Sequence, residues 1–114
     1  REDESIHIGK FFINLDEDYV FIHAHPTQIR FLRGAETTDK ARILLLNAVV
    51  FPVVLQMAIK LKEDPDDALS KRWGNIFAAK CAANKIDYSG DPNLTAQSLL
   101  ARPLKMLNDK FLVD

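Results

Sequence analysis

A single cysteine, Cys81, is present among 114 residues, so no internal disulfide can form and the chain suits a cytoplasmic or otherwise intracellular, reducing compartment. The four glycines, at 9, 34, 74 and 90, are scattered and compose no phosphate-binding loop. No serine lies in a Gly-x-Ser-x-Gly pattern. No Asp or Glu is followed two residues later by Lys, the spacing that would suit a divalent-ion nuclease. Charge of one sign is also missing: the formal net charge is −1, which argues against a protein steered chiefly by phosphate. The opening Arg-Glu-Asp-Glu-Ser is not a signal-peptide pattern and contains no initiator Met. It predicts a processed product or a part of a longer polypeptide. At this length, with 47% hydrophobic and 27% charged residues, residues 1–114 are expected to form one small domain with one core.

Charge is most conspicuously absent between Ile43 and Ile59, seventeen residues reading ILLLNAVVFPVVLQMAI and bracketed by Lys40, Arg42, Lys60 and Lys62. Such a run offers water no polar face, so it is either the centre of a small domain or a membrane segment at the short limit of a span. The amphipathic segments that follow need an apolar partner, which favours the soluble reading and disfavours the membrane.

The remaining pattern predicts an α+β domain, an N-terminal β-hairpin followed by three helices. Ile6–Asn14 and Tyr19–His25 are rich in β-branched and aromatic residues, with the polar turn Leu15-Asp16-Glu17-Asp18 between them. Pairing Asn14 with Tyr19 puts Phe11, Ile13, Val20, Ile22 and Ala24 on one face. Phe12, Asn14, Tyr19, Phe21, His23 and His25 then share the other. Thr27–Arg33 reads equally as a short helix stopped by Gly34 or as a further extended segment. The first predicted helix, about 38–62, is capped by Thr37 or Thr38, kinked at Pro52 and central to the fold. Within it Leu45, Val49, Val53 and Met57 are expected to be almost fully buried. Asp64-Pro65-Asp66-Asp67 starts a second helix running to about Lys85. A third begins near Asn93 or Thr95, with Leu99, Leu100, Pro103, Leu104, Leu107 and Phe111 as its apolar stripe.

Four candidates follow. His23 and His25, two apart on a strand, could share a metal ion, but no third ligand stands at a recognisable spacing, and no cofactor is predicted. Lys71, Arg72, Lys80 and Lys85 could contact nucleic acid. At 100° per residue, however, they spread around their helix and read more simply as a solvated face. Cys81 lies among alanines without a base to activate it, as a small packing residue would. Phe12, Tyr19 and Phe21 are the strongest candidates, because a two-stranded hairpin with aromatics on both faces and open edges is not stable alone. They predict a protein partner or a homo-oligomer joined through the hairpin, and a non-catalytic assembly module. A small metal-dependent enzyme using His23 and His25 is the alternative. A nucleic-acid-binding accessory domain is a second.

Overall fold

The computed structural model describes residues 1–34 and 38–100. In chain order the elements are β1 (Phe11–Asn14), β2 (Phe21–Ala24), α1 (Pro26–Gly34), α2 (Asp39–Leu45), a π turn (Leu46–Val50), α3 (Phe51–Glu63), α4 (Pro65–Leu69), α5 (Arg72–Ala83) and α6 (Pro92–Leu99). The arrangement is α+β, a hairpin followed by helices, with the apolar stretch 39–63 at its centre. Thr37 and the stripe residues Pro103, Leu104, Leu107 and Phe111 lie outside the described residues.

β1 and β2 are antiparallel, pairing Phe11 with Ala24, Phe12 with His23, Ile13 with Ile22 and Asn14 with Phe21. This register is two residues away from one that pairs Asn14 with Tyr19. A shift of two preserves the pleat, so the division of side chains between the faces is unchanged. The connection lengthens at its second end: Tyr19 and Val20 leave the strand, and Val20 joins the turn residue Leu15 against the helical core. Neither strand is isolated on both sides. Arg1–Asp3 run alongside β2: the Ala24 N–H donates to Arg1 O at 3.0 Å and the Asp3 N–H donates to Ala24 O at 2.8 Å. The expectation of two open edges is therefore corrected to one, that of β1.

Of the described helices, α1, α2, α4 and α6 start at a side-chain cap. Thr38 Oγ1 accepts from the Ala41 N–H, Asp64 from Asp67 and Asp91 from Asn93. The His25 ring Nδ1 does the same for Thr27, and Thr27–Arg33 is thus helical. Pro26, Pro65 and Pro92 each follow such a cap, where a missing N–H costs nothing. Pro52 instead falls inside the long apolar stretch. The turn just before it widens to π geometry, with the Phe51 N–H reaching back to Leu46 O, which makes room for the proline ring. The second predicted helix is divided at Ser70–Lys71. Gly74 there lies against the end of α4: a Cβ on it would stand 1.8 Å from Ala68 O.

Burial is uneven along 39–63. The core cluster is Ala58, Leu61, Ala68, Trp73, Phe77 and Cys81, with Leu15, Val20, Val54, Met57 and Leu99 packed around it. It engages the second half of the apolar stretch. Of Leu45, Val49, Val53 and Met57, Val49 is buried while the other three are only partly covered, against the expectation of near-complete burial. The first half is flanked by α1, which buries none of its own residues, so this side of the molecule is open. Asp39–Glu63 is long and apolar enough to cross a membrane by length and composition, and 17% of its most apolar window is buried.

Two outcomes test this packing. Gly74→Ala must move backbone to relieve its contact and is expected to cost at least the roughly 1–3 kcal/mol of an overpacked site, read from urea unfolding. Asp67 accepts from Lys71 Nζ at 2.7 Å and bridges Lys60 Nζ at 2.9 Å, and these two hydrogen bonds, Lys71's first, hold its carboxyl below the ordinary value of 3.8. A lowered folded-state value stabilises above the unfolded one and is lost as pH falls through it. The urea midpoint is therefore expected to drop below about pH 4, and Asp67→Asn to flatten that drop.

Candidate interaction surface

The open edge of β1 can be assigned atom by atom. Ala24 turns its N–H and C=O toward Arg1 and Asp3, and Ile22 O accepts from the Arg1 nitrogen. In an antiparallel pair these groups alternate along a strand, so Phe21 and His23 face β1 and their opposites Phe12 and Asn14 face β2. Phe11 and Ile13 consequently aim their N–H and C=O groups outward, and among the described residues neither group has a partner.

The predicted aromatic face is only partly open. Phe12 is 61% exposed and Tyr19 is 59% exposed, on a face bordering the free edge and on the hairpin loop respectively. Phe21 is partly covered, because the Arg1 guanidinium stacks 3.7 Å above its ring centroid while also bridging Glu17. Arg72 lies 5.7 Å from the Tyr19 ring centroid.

A second open region was not legible as a site. Beneath β1, an apolar groove of about 370 Å³ runs between the sheet, α1 and α2, lined by Phe11, Phe31, Leu32, Leu44, Leu45 and Ala48 among others. No β2 residue lines it, so it lies on the β1 side of the sheet. Phe31 is 68% exposed and Leu44 50%. Spacing could have indicated it: Gln28, Phe31 and Leu32 recur at i, i+3, i+4 on α1, as do Ala41, Leu44 and Leu45 on α2. Among the described residues the only polar side chain lining the groove is Gln28, and its Oε1 already accepts from the Gly9 N–H at 3.1 Å. A small-molecule site would need converging polar groups, which this lining does not offer.

The other candidates are dispersed. His25 lies beyond the end of β2 and spends Nδ1 on capping α1. His23 stays on the strand, with its Nε2 buried and unpartnered. The nearby Asp3 carboxylate is engaged by Ser5 N–H and Oγ at 2.9 and 2.6 Å, which, with the Ser5 hydroxyl leading, lowers its pKa. Among the described residues no three His, Cys, Asp or Glu side chains group as a metal ion would require. Lys71 precedes α5 and pairs with Asp67, Lys80 lies near its far end, and Lys85 follows it, so the four basic residues are strung along about 18 Å of helix. Cys81 is wholly buried, and burial pushes its thiol pKa up, which keeps it protonated and unreactive.

In comparison with known proteins no family model, no curated protein and no solved structure matches this chain.

A direct check concerns the histidines. Purified protein is expected to hold no stoichiometric zinc, iron or manganese by elemental analysis. About one metal per chain, lost on replacing both His23 and His25 by Ala, would instead establish a metal centre there.

Proposed function

We propose that the chain is a non-catalytic association module that binds another polypeptide through the hairpin side of the molecule. One observation carries this reading: the unpaired β1 edge lies between exposed Phe12 on one face and the open groove with Phe31 and Leu44 on the other. Unpaired backbone groups recruit a strand, and large exposed apolar side chains beside them supply the burial that holds it. The dispersal of the histidines and of the basic residues lends no comparable support to a metal enzyme or to nucleic-acid binding. Light scattering tests the reading. A mass above that of one chain, or a stably co-purifying protein, is expected. Phe31→Glu together with Leu44→Glu should weaken the contact at least tenfold without unfolding the helices, since both side chains already face water. A stable, monodisperse monomer at high micromolar concentration, with no companion protein, would overturn it.

A second reading is favoured by the composition and slight burial of Asp39–Glu63, which also fit a segment held in a bilayer. Flotation separates the two. Association as a module leaves the protein in the aqueous fraction as an assembly, whereas a bilayer segment carries it up with lipid vesicles and needs detergent for purification.

A further inference from the structure

Building on the association reading, we propose that the partner is a second copy of this chain, joined β1 to β1 in antiparallel fashion about a two-fold axis through Phe12.

The geometry of the edge is self-complementary. Phe11 and Ile13 present the outward N–H and C=O groups, and they flank Phe12, whose own groups face β2. Turning a second β1 about an axis at Phe12 sets Phe11 of each copy against Ile13 of the other. All four outward N–H and C=O pairs are then satisfied, and the two hairpins merge into one continuous sheet. The two Phe12 rings meet across the axis at a pair without hydrogen bonds, where opposite side chains come closest.

Charge follows the same operation. Lys10 immediately precedes β1, while Asp16, Glu17 and Asp18 follow the strand. An antiparallel mate brings Lys10 beside Asn14 at the end of the mate's strand, next to the acidic loop 16–18 that follows it. Lys10 and Asp16 have no side-chain partner of their own among the described residues. A parallel mate would instead set Lys10 beside Lys10 and the acidic turn beside itself. The axis therefore pairs unlike charges twice, and the parallel arrangement opposes like charges.

The groove agrees with this placement. It lies on the β1 side of the sheet with Phe11, so a strand added at that edge extends the sheet toward Phe31 and Leu44 and brings the mate's side chains at 11 and 13 to the same face. The same residues of the mate are covered in turn. A strand from an unrelated protein could satisfy the edge, but nothing here specifies one, whereas the second copy meets the hydrogen-bond, aromatic and charge requirements with residues already present.

Disulfide trapping tests it in the intact chain. Cys81 is wholly buried and supplies no competing thiol. Phe12→Cys and Tyr19→Cys are compared, since both positions are similarly exposed and only the first lies on the axis. Across a non-hydrogen-bonded antiparallel pair the Cα atoms stand about 4.5 Å apart, within disulfide range. With oxidised glutathione, Phe12→Cys is expected to form covalent dimer at least tenfold faster than Tyr19→Cys, and light scattering of the unmodified chain to give the mass of two copies. An assembly in which Phe12→Cys cross-links no faster than Tyr19→Cys overturns the β1 pairing and leaves the association reading standing. A monomer that co-purifies with a different protein has the same consequence. A lone monomer at every concentration, with no preferential cross-link, overturns both.

Discussion

Helix α5 begins without a cap of its own, and the fold is organised around the way this is remedied. Lys71 occupies the capping position and offers no side-chain acceptor. Asp18, from the hairpin loop, takes its place: Oδ1 accepts from the Arg72 N–H at 3.2 Å, and its carbonyl accepts from the Trp73 N–H at 3.0 Å. A carboxylate at a helix N-terminus is favoured by the exposed N–H groups and by the helix dipole. One residue on, the buried Trp73 closes the same junction by donating Nε1–H to Leu15 O at 2.9 Å. An indole buried with its N–H satisfied contributes apolar area without a polar penalty. The clamp explains why the hairpin loop runs on to Val20: a tight turn at 15–18 would hold Val20 in the strand and away from the core.

That clamp also divides the molecule into unequal halves. Behind it, small residues allow close approach. Ala58, Ala68 and Cys81 are wholly or almost wholly buried beside Leu61, Trp73 and Phe77, and Gly74 lets the start of α5 touch the end of α4. In front of it, α1 spans the gap between the sheet and α2 with Ile29, Leu32 and Phe31, too few side chains to fill both flanks. The result is a groove on each side of α1. The apolar run is continuous through both halves, and composition alone cannot say that one half is packed and the other is not. What decides is the supply of covering side chains, which depends on tertiary arrangement.

Where backbone chemistry is local, the sequence was informative. Thr38 and Asp64-Pro65 mark helix starts, and the interruption expected at Pro52 from its missing N–H takes the form of the π turn just before it. The signal at Asp64-Pro65 recurs as His25-Pro26 and Asp91-Pro92, so all three starts were readable by one rule; a histidine nitrogen in the capping role concealed the first. The faces of the hairpin survived a two-residue error in register because parity alone determines them. The pairing of Arg1–Asp3 with β2 was not legible. Arg-Glu-Asp has no strand propensity and is held by backbone hydrogen bonds, the Arg1–Phe21 stack and the Arg1–Glu17 bridge. The candidate surface was half legible for the same reason. Phe12 and Tyr19 are exposed as aromatics in a hairpin suggest, while Phe21 is covered by a residue whose position no local pattern specifies.

The contrast between the two sheet edges bears on how association through this surface would divide its work. Edge strands are commonly blunted by charge, proline, a bulge or a covering segment. β2 is covered by Arg1–Asp3, but β1 has only its brevity and the neighbouring Lys10. Four residues are too short to attract a partner strongly through backbone bonds, each worth about 0.5–1.5 kcal/mol net. Such an edge cannot by itself supply a tight complex, nor does it present the long, flat apolar strand that drives indiscriminate aggregation. The energy must come from the apolar surfaces that border it, Phe12 on one face and the Phe31–Leu44 groove on the other, since burial of large side chains contributes about 25 cal/mol per Å². In the proposed association the strand would set register and direction and the flanking side chains affinity, and because both lie on the same border neither would be engaged fully without the other.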